Sequence, residues 1–224
     1  MTHSVLQHRR KHFRTFDTTA DLVAEWHLEE ESGDLIDSTG RGNDLTRNFS
    51  ILRDAGKVNW AQAITSATSS RMSHVDTADL RFIDDFTFCA WLRLDGEPGG
   101  DIITIAAKRA VSPPNEFDFF LQSDQLVVEV PGAYARGDIP GGIVPGTWRH
   151  FGVTCELGST PKLYVDAIEI EAETYGGLTA DGGGDDFILG FSSFACTYRL
   201  DEAAKWARAL RAAEMGDVYN NGLP

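Results

Sequence analysis

Between residues 85 and 198, apolar and polar positions repeatedly alternate with a period of two, the spacing of a β-strand that presents different faces to core and solvent. In the stretch from Phe86 to Leu94, the side chains of Phe86, Phe88, Ala90, Leu92 and Leu94 fall on one face and Thr87, Cys89, Trp91 and Arg93 on the other. Two partly apolar faces predict a central strand. Residues 117–121 and 126–130 flank Gln122-Ser123-Asp124-Gln125, which predicts a hairpin, and residues 162–165 are expected to pair with 168–172 across Asp166-Ala167. Asp-Ala fits a two-residue type I′ turn poorly, because both positions need positive φ, so a longer or different turn is expected there. The convincing helical spacing is confined to residues 211–219, where Met215, Val218 and Tyr219 share a face. Many short strands with one terminal helix predict an all-β fold, a two-sheet antiparallel β-sandwich with a short C-terminal helix. The glycine-rich stretches 131–146 and 176–184 read as long connections.

No linker composition divides the 224 residues, so one domain, 21–224, is expected behind a basic N-terminal arm, 1–20. The formal charge is −14, and the arm contributes four basic residues against one acidic, leaving about −17 for the domain. A body that acidic repels phosphate backbones, which argues against nucleic-acid binding. The arm carries Arg9, Arg10, Lys11 and Arg14 with three histidines, a composition suited to docking on an acidic protein surface of another subunit, or to a solvated tail. No apolar run approaches the ~20 residues of a membrane helix, so membrane insertion is not expected. The first twelve residues have no apolar segment behind their charges, unlike a Sec leader. Cys89, Cys155 and Cys196 are odd in number and lack metal spacing, and are expected to be small buried hydrophobes of a chain folded in a reducing compartment.

Several segments carry a family resemblance. Residues 21–45 run from a Trp26-bearing strand through acidic, glycine-rich turns to Asn43-Asp44. Phe86-Thr87-Phe88-Cys89-Ala90-Trp91-Leu92-Arg93-Leu94 resembles an "FTISAWVK" strand, and Gly146-Thr147-Trp148-Arg149-His150-Phe151-Gly152-Val153-Thr154 a "GTWYHVAVT" strand. Lys162-Leu163-Tyr164-Val165-Asp166-Ala167 is similar to a "KLYVNG" hairpin, and Leu200-Asp201-Glu202-Ala203 through Tyr219-Asn220-Asn221-Gly222 to a closing "IDEVRIYNRALSAEEIQALYNNG". In this order, over roughly 21–224, they resemble laminin-G-like, concanavalin A-like jelly rolls. That fold hosts lectins, glycosidases, adhesins and virion parts, so it does not choose a function. The resemblance implies a framework role for Trp26, Trp91, Trp148 and Trp206. It also implies one structural Ca²⁺, held where the acidic turn meets the last strand by Asp37, Asn43 and Asp201, with the Gly40 carbonyl nearby, since Ca²⁺ takes six to eight hard oxygens. Arg41 opposes a cation there, and the alternative is that Asp37 and Asp201 cap turns or pair with Arg41.

Catalytic candidates are few. Glu169-Ile170-Glu171-Ala172-Glu173 resembles the E-x-D-x-E strand of related glucanases, and alternation would place the three carboxylates on one face. A retaining hydrolase needs two carboxyls about 5 to 5.5 Å apart, whereas Glu169 and Glu173 would stand ~13 Å apart on a regular strand. A solvated acidic face is the expected reading. No nucleophile elbow, zinc motif or phosphate loop is present, and His27, His74 and His150 read as polar strand or rim residues. For sugar recognition, rings that stack on pyranose faces beside polar groups are the useful sign, and Tyr134, Arg136, Asp138 and Tyr175 supply them. Arg136-Gly137-Asp138 as an integrin motif is read as coincidence. The expectation is therefore a non-enzymatic structural or attachment component of a larger assembly, above all a phage or virus particle, docked through its arm and facing cell-surface glycans. The alternatives are a free, extracellular carbohydrate-binding lectin and, less favoured, a glycoside hydrolase.

Overall fold

The computed structural model describes residues 16–48, 51–65, 70–97, 102–109, 116–180, 182, 184–192 and 196–223. Arg9, Arg10, Lys11 and Arg14 lie outside the described residues.

The strands form two antiparallel eight-stranded sheets. The first runs β13 (Ile168–Glu169), β12 (Lys162–Val165), β11 (Arg149–Cys155), β6 (Phe86–Leu94), β16 (Tyr198–Trp206), β4 (Trp60–Ile64), β3 (Ile51–Ala55). Its eighth strand, β1 (Leu22–Trp26), pairs with the second half of β16. The second sheet runs β14 (Glu173–Gly176), β10 (Ala133–Asp138), β9 (Gln125–Val130), β8 (Phe117–Gln122), β7 (Ile102–Lys108), β15 (Phe187–Ser192), β5 (Ser70–His74), β2 (Thr46–Asn48). The two-sheet sandwich expected from the alternation is therefore present, and β6 is central, between β11 and β16.

Between the sheets, Phe82, Phe86, Phe88, Phe117, Phe119 and Phe187 form a buried aromatic cluster in which Phe82 and Phe117 stack with centroids 3.7 Å apart. Tyr198 reaches across this core to the second sheet. Its hydroxyl donates to the Thr104 carbonyl at 2.9 Å and accepts the Phe191 N–H at 2.7 Å. Both partners sit at irregularities, where β7 and β15 shift register, so one side chain satisfies backbone groups that the bulged ladders leave over. Gly190, within the β15 bulge, has φ +65°, and a Cβ there would lie 2.0 Å from Ile64 Cδ1. Both backbone and space thus require glycine.

The helix α1 (Ala212–Asn221) covers the outer face of the first sheet. Met215 and Val218 bury against Cys89, Tyr164, Ala204 and Trp206, as the expected helical face predicts, and Tyr219 stacks on Trp91 at 5.2 Å. A Cβ on Gly152 would lie 3.0 Å from Met215 Cε, so glycine in β11 sets how closely the helix approaches. The Glu214 carboxylate accepts the Arg211 N–H at 2.8 Å and is held by Arg208, which closes the first turn.

Several details depart from expectation. Asp166 and Ala167 have φ of 50° and 68°, so the β12–β13 turn is the two-residue left-handed kind that the sequence disfavours. Its carboxylate explains the tolerance: Asp166 accepts the His150 N–H at 2.9 Å and Arg149 Nε at 2.5 Å, tying the turn to β11. Residues 16–20 are integral to the domain rather than to a separate arm. Thr18 is fully buried, its carbonyl accepts Trp206 Nε1 at 2.7 Å, and the Ala20 carbonyl accepts Arg208 Nε at 3.1 Å. Trp148 is half-buried, with the Arg93 guanidinium 5.5 Å from its ring centroid, unlike the buried Trp26, Trp91 and Trp206. All three cysteines are free and buried, as expected.

Candidate functional site

The four residues singled out for sugar recognition come together on strands, not on loops. Tyr134, Arg136 and Asp138 alternate along β10 and so share one face, and Tyr175 on the edge strand β14 stands directly opposite Tyr134. That face points away from the shared core, because the intervening Ala133 and Ala135 are core residues. Tyr175 is 76% exposed. Arg136 donates through Nε to Gln125 Oε1 at 2.6 Å, and Gln125 Nε2 donates to Asp138 Oδ1 at 2.7 Å, so a single amide orients both charged groups. These bonds tie Arg136 and Asp138 to β9.

Cross-strand register extends the face inward. Tyr134 stands opposite Glu129 on β9, and Glu129 opposite Asp118 on β8. Next to them Arg136 stands opposite Val127, and Val127 opposite Phe120. Arg109 clamps Asp118 with two bonds of 2.8 and 2.9 Å and donates to Thr104 Oγ1 at 3.1 Å. Burial raises the Asp118 carboxyl above its usual range against the opposing pull of Arg109. Loss of solvation, followed by the Asp118 charge, raises Glu129 as well. Glu129, Val127, Phe120 and Gln125 were not singled out from the sequence. The available signal was the alternation itself, since the apolar run 126–130 must have an outward side.

The glucanase-like strand does not exist as such. Glu169 ends β13 in the first sheet, Glu173 begins β14 in the second, and the chain crosses between the sheets with Ile170 buried in the core. The apolar Ile170 anchors the crossing, so Glu169, Glu171 and Glu173 cannot line one strand face. Glu171 and Glu173 instead border a surface cavity of about 620 Å³ beside Arg136 and Asp138.

The residues proposed for calcium are engaged as hydrogen-bond acceptors. Asp37 Oδ1 accepts the N–H groups of Glu25 and Thr39 at 3.1 and 3.0 Å and the Thr39 hydroxyl at 2.7 Å, while Oδ2 accepts the Asn43 N–H at 3.1 Å. The Asn43 amide donates to the Val23 carbonyl and accepts from Thr77. Asp201 serves a different segment: its Oδ2 accepts the Val58 N–H at 2.9 Å. Arg41 pairs with Asp79 rather than with either carboxylate. Among the described residues no three His, Cys, Asp or Glu side chains converge. Asp37 and Asn43 thus serve a tight turn, whereas Asp201 Oδ1 is buried with no hydrogen-bond partner among the described residues. The turn-capping alternative describes Asp37.

Behind the helix, His150 and Asp201 flank Trp91 on neighbouring strands. His150 is 1% exposed, and neither ring nitrogen has a hydrogen-bond partner among the described residues. It packs on Trp91 at 5.3 Å and Tyr219 at 5.8 Å, and burial pushes its pKa down to about 3. It is therefore a core residue rather than a rim residue. His27, just after β1, bonds Glu202 at 3.0 Å.

The fold recurs widely among solved structures. The binding domain of Paraclostridial Mosquitocidal Protein 1 superposes with TM-score 0.67 and 17% identity over 89% of this chain and 52% of that one. The binding domain of botulinum neurotoxin DC, solved with rat synaptotagmin II, gives 0.71 and 11% over 91% and 52%. Domain 4 of a GH43 extracellular arabinanase from Geobacillus stearothermophilus, solved with arabinotriose, gives 0.69 and 19% over 89% and 98%. This chain thus spans about half of the toxin binding domains and nearly all of the arabinanase domain. No curated protein matches the chain at a significant level. The laminin G-type profile matches residues 67–216, which include both motif-bearing central strands and most of the closing segment. On that match and on its two-sheet architecture, the chain belongs to the concanavalin A-like lectin/glucanases superfamily.

Proposed function

We propose that this domain is a non-catalytic glycan-recognition module that binds through the outer face of its second sheet, with Tyr134 and Tyr175 as stacking rings and Arg136 and Asp138 as polar contacts. The observation that carries the reading is the register of β10 and β14, which sets the two tyrosines side by side with the charged pair along one strand. Sugars need this combination of a flat apolar ring and fixed hydrogen-bonding groups. The arabinanase domain, similar over nearly its whole length and solved with arabinotriose, supports the same reading. Dispersal of Glu169, Glu171 and Glu173 over two sheets supports a binding rather than a hydrolytic role. The test is a glycan array followed by calorimetry: Tyr134→Ala and Tyr175→Ala each weaken the best ligand at least tenfold, about 1.4 kcal/mol, while leaving the melting temperature of the protein unchanged. Full affinity in both variants would refute the assignment.

One observation favours carriage on a larger assembly, of which a phage or virus particle is the leading case. Residues 16–20 are bound to the end of β16, and the Phe16 N–H donates to Asp217 of α1 at 2.9 Å. The chain therefore joins the domain on the first-sheet side, and the proposed glycan face lies on the second. In this reading Arg9, Arg10, Lys11 and Arg14 grip an acidic partner subunit while the tyrosines face outward. Release of the protein from the assembled particle by raised salt checks it, since exposed ion pairs are screened.

A further inference from the structure

At one end of the second sheet, a lysine and two carboxylates are drawn against the aromatic core. Lys108, the last residue of β7, stands directly opposite Phe117 on β8 and Phe187 on β15, so its side chain shares their core-facing side. It is fully buried. Its Nζ donates to Asp76 Oδ1, just beyond β5, and lies 3.5 Å from Glu116 Oε2, just before β8. Glu116 is 1% exposed, and its Oε1 accepts the Phe82 N–H at 2.7 Å, while its Oε2 has no hydrogen-bond partner among the described residues. From the solvent side, Arg81 grips the other Asp76 oxygen, Oδ2, through Nη2 at 2.6 Å and Nε at 3.1 Å, with a longer contact of 3.3 Å to Oδ1. An amine, the carboxyl it touches and a second, inner carboxyl thus meet in one buried cluster.

We propose that Lys108 and Asp76 condense into an intramolecular isopeptide bond, with Glu116 relaying a proton, so that the ends of β5 and β7 are joined covalently across β15. The atoms balance without an oxidant or cofactor. Nζ begins as an ammonium and gives one proton to Asp76 Oδ1; the freed amine attacks Cγ, a second Nζ proton passes through the Glu116 carboxyl to Oδ1, the Cγ–Oδ1 bond breaks, and Oδ1 leaves as water. Nζ keeps one hydrogen, which becomes the amide N–H. Each neighbour fits one role. Burial raises Glu116 above the usual carboxyl range, against the pull of the Phe82 N–H and Lys108, so it can hold a proton and pass it on. The Arg81 fork sits on Oδ2, the oxygen that gains charge at the tetrahedral stage and ends as the amide carbonyl. Fixing amine and carboxyl in contact supplies the effective concentration that condensation in free solution lacks. The product also removes two opposite charges whose desolvation opposes folding, and it gives Glu116 Oε2 an N–H donor. Arg81 works against the first proton transfer, since its bonds hold the Asp76 carboxyl down at about 2, so the bond is expected to form slowly after folding. Asp76 keeps 14% of its side-chain exposure, which gives the released water a way out.

Intact-mass spectrometry of the full chain, purified and kept folded at neutral pH for several days, tests the proposal. The mass is expected to fall below the sequence value by that of one water, and tandem spectra of a digest to show one branched peptide joining Asp76 to Lys108. Glu116→Gln, which cannot relay the proton, is expected to melt cooperatively and keep the full sequence mass, and Lys108→Met to keep it as well. A folded wild-type chain that still has its full sequence mass after the incubation would overturn the proposal and leave the cluster as a buried ion-pair network, whether or not either variant folds. Water lost equally from Lys108→Met would place the dehydration elsewhere in the chain and overturn it too. Cross-linking of Glu116→Gln as complete as that of the wild type would refute the relay.

Discussion

Replacing Tyr198 by Phe removes one oxygen and leaves the ring, so it isolates the bridge that this hydroxyl makes between the two bulges of the second sheet. In the native chain the hydroxyl satisfies the Thr104 carbonyl at 2.9 Å and the Phe191 N–H at 2.7 Å, and Tyr198 is itself fully buried. A buried backbone group stripped of its partner costs about 1–3 kcal/mol, and here there are two. Part of the loss is offset because a buried hydroxyl no longer has to be desolvated, so a net destabilisation of about 2–4 kcal/mol is expected. With a urea dependence of about 2 kcal/mol per molar, the unfolding midpoint falls by roughly 1–2 M at constant slope. Amide exchange provides the local readout: the Phe191 N–H, protected in the wild type, should exchange markedly faster in Tyr198→Phe, while amides of the first sheet follow only the global change. A midpoint within about 0.3 M of wild type, with Phe191 still protected, would show that the bulges are satisfied in another way and that the bridge is incidental.

Three further outcomes are expected. The folded-state pKa of His150 is about 3 against an ordinary 6.5, so the unfolded chain binds the extra proton first; the contribution is intact above pH 6.5 and is lost as pH falls towards 3. Asp201 behaves oppositely: burial raises it from 3.8 to about 8, so its contribution is present below 3.8 and is lost as pH rises through 8. Chemical denaturation from pH 4 to 9 should therefore show a shallower acid slope in His150→Phe and a shallower alkaline slope in Asp201→Asn, and profiles parallel to wild type would contradict both assignments. Deleting residues 1–20 should lower stability by about 1–3 kcal/mol, because the buried Trp206 indole N–H loses the Thr18 carbonyl; an unchanged thermal midpoint would return those residues to the status of a dispensable arm.

The sandwich was legible because its signal is local and repeated. Alternation in β6 and the Met215, Val218 and Tyr219 spacing in α1 each follow from one element meeting one core. What escaped the sequence depends on neighbours distant along the chain. The left-handed Asp166-Ala167 turn is tolerated because Arg149 and the His150 N–H bind its carboxylate. His150 reads as polar until Trp91 and Tyr219 are seen to enclose it. The run from Glu169 to Glu173 looks like one strand because nothing local marks the change of sheet at Ile170. Tyr134 and Tyr175 were legible as residue types, but their adjacency across 41 positions exists only through pairing register.

The strand that carries Tyr175 has a consequence for how such a domain changes over generations. All four residues of β14 are exposed, and among the described residues β10 is its sole ladder partner. Backbone closeness fixes one end of it, where a Cβ on Gly176 would lie 1.9 Å from the Gly132 carbonyl oxygen, and Ile170 pins the approach to the other. Between those anchors, side chains at positions 173–175 can be exchanged with little effect on folding, since surface substitutions of this kind typically change stability by no more than about 0.5 kcal/mol. Mutation can therefore redraw the recognised chemistry at the rim while the phenylalanine-filled interior is inherited intact, and descendants of one scaffold are free to diverge in what they hold.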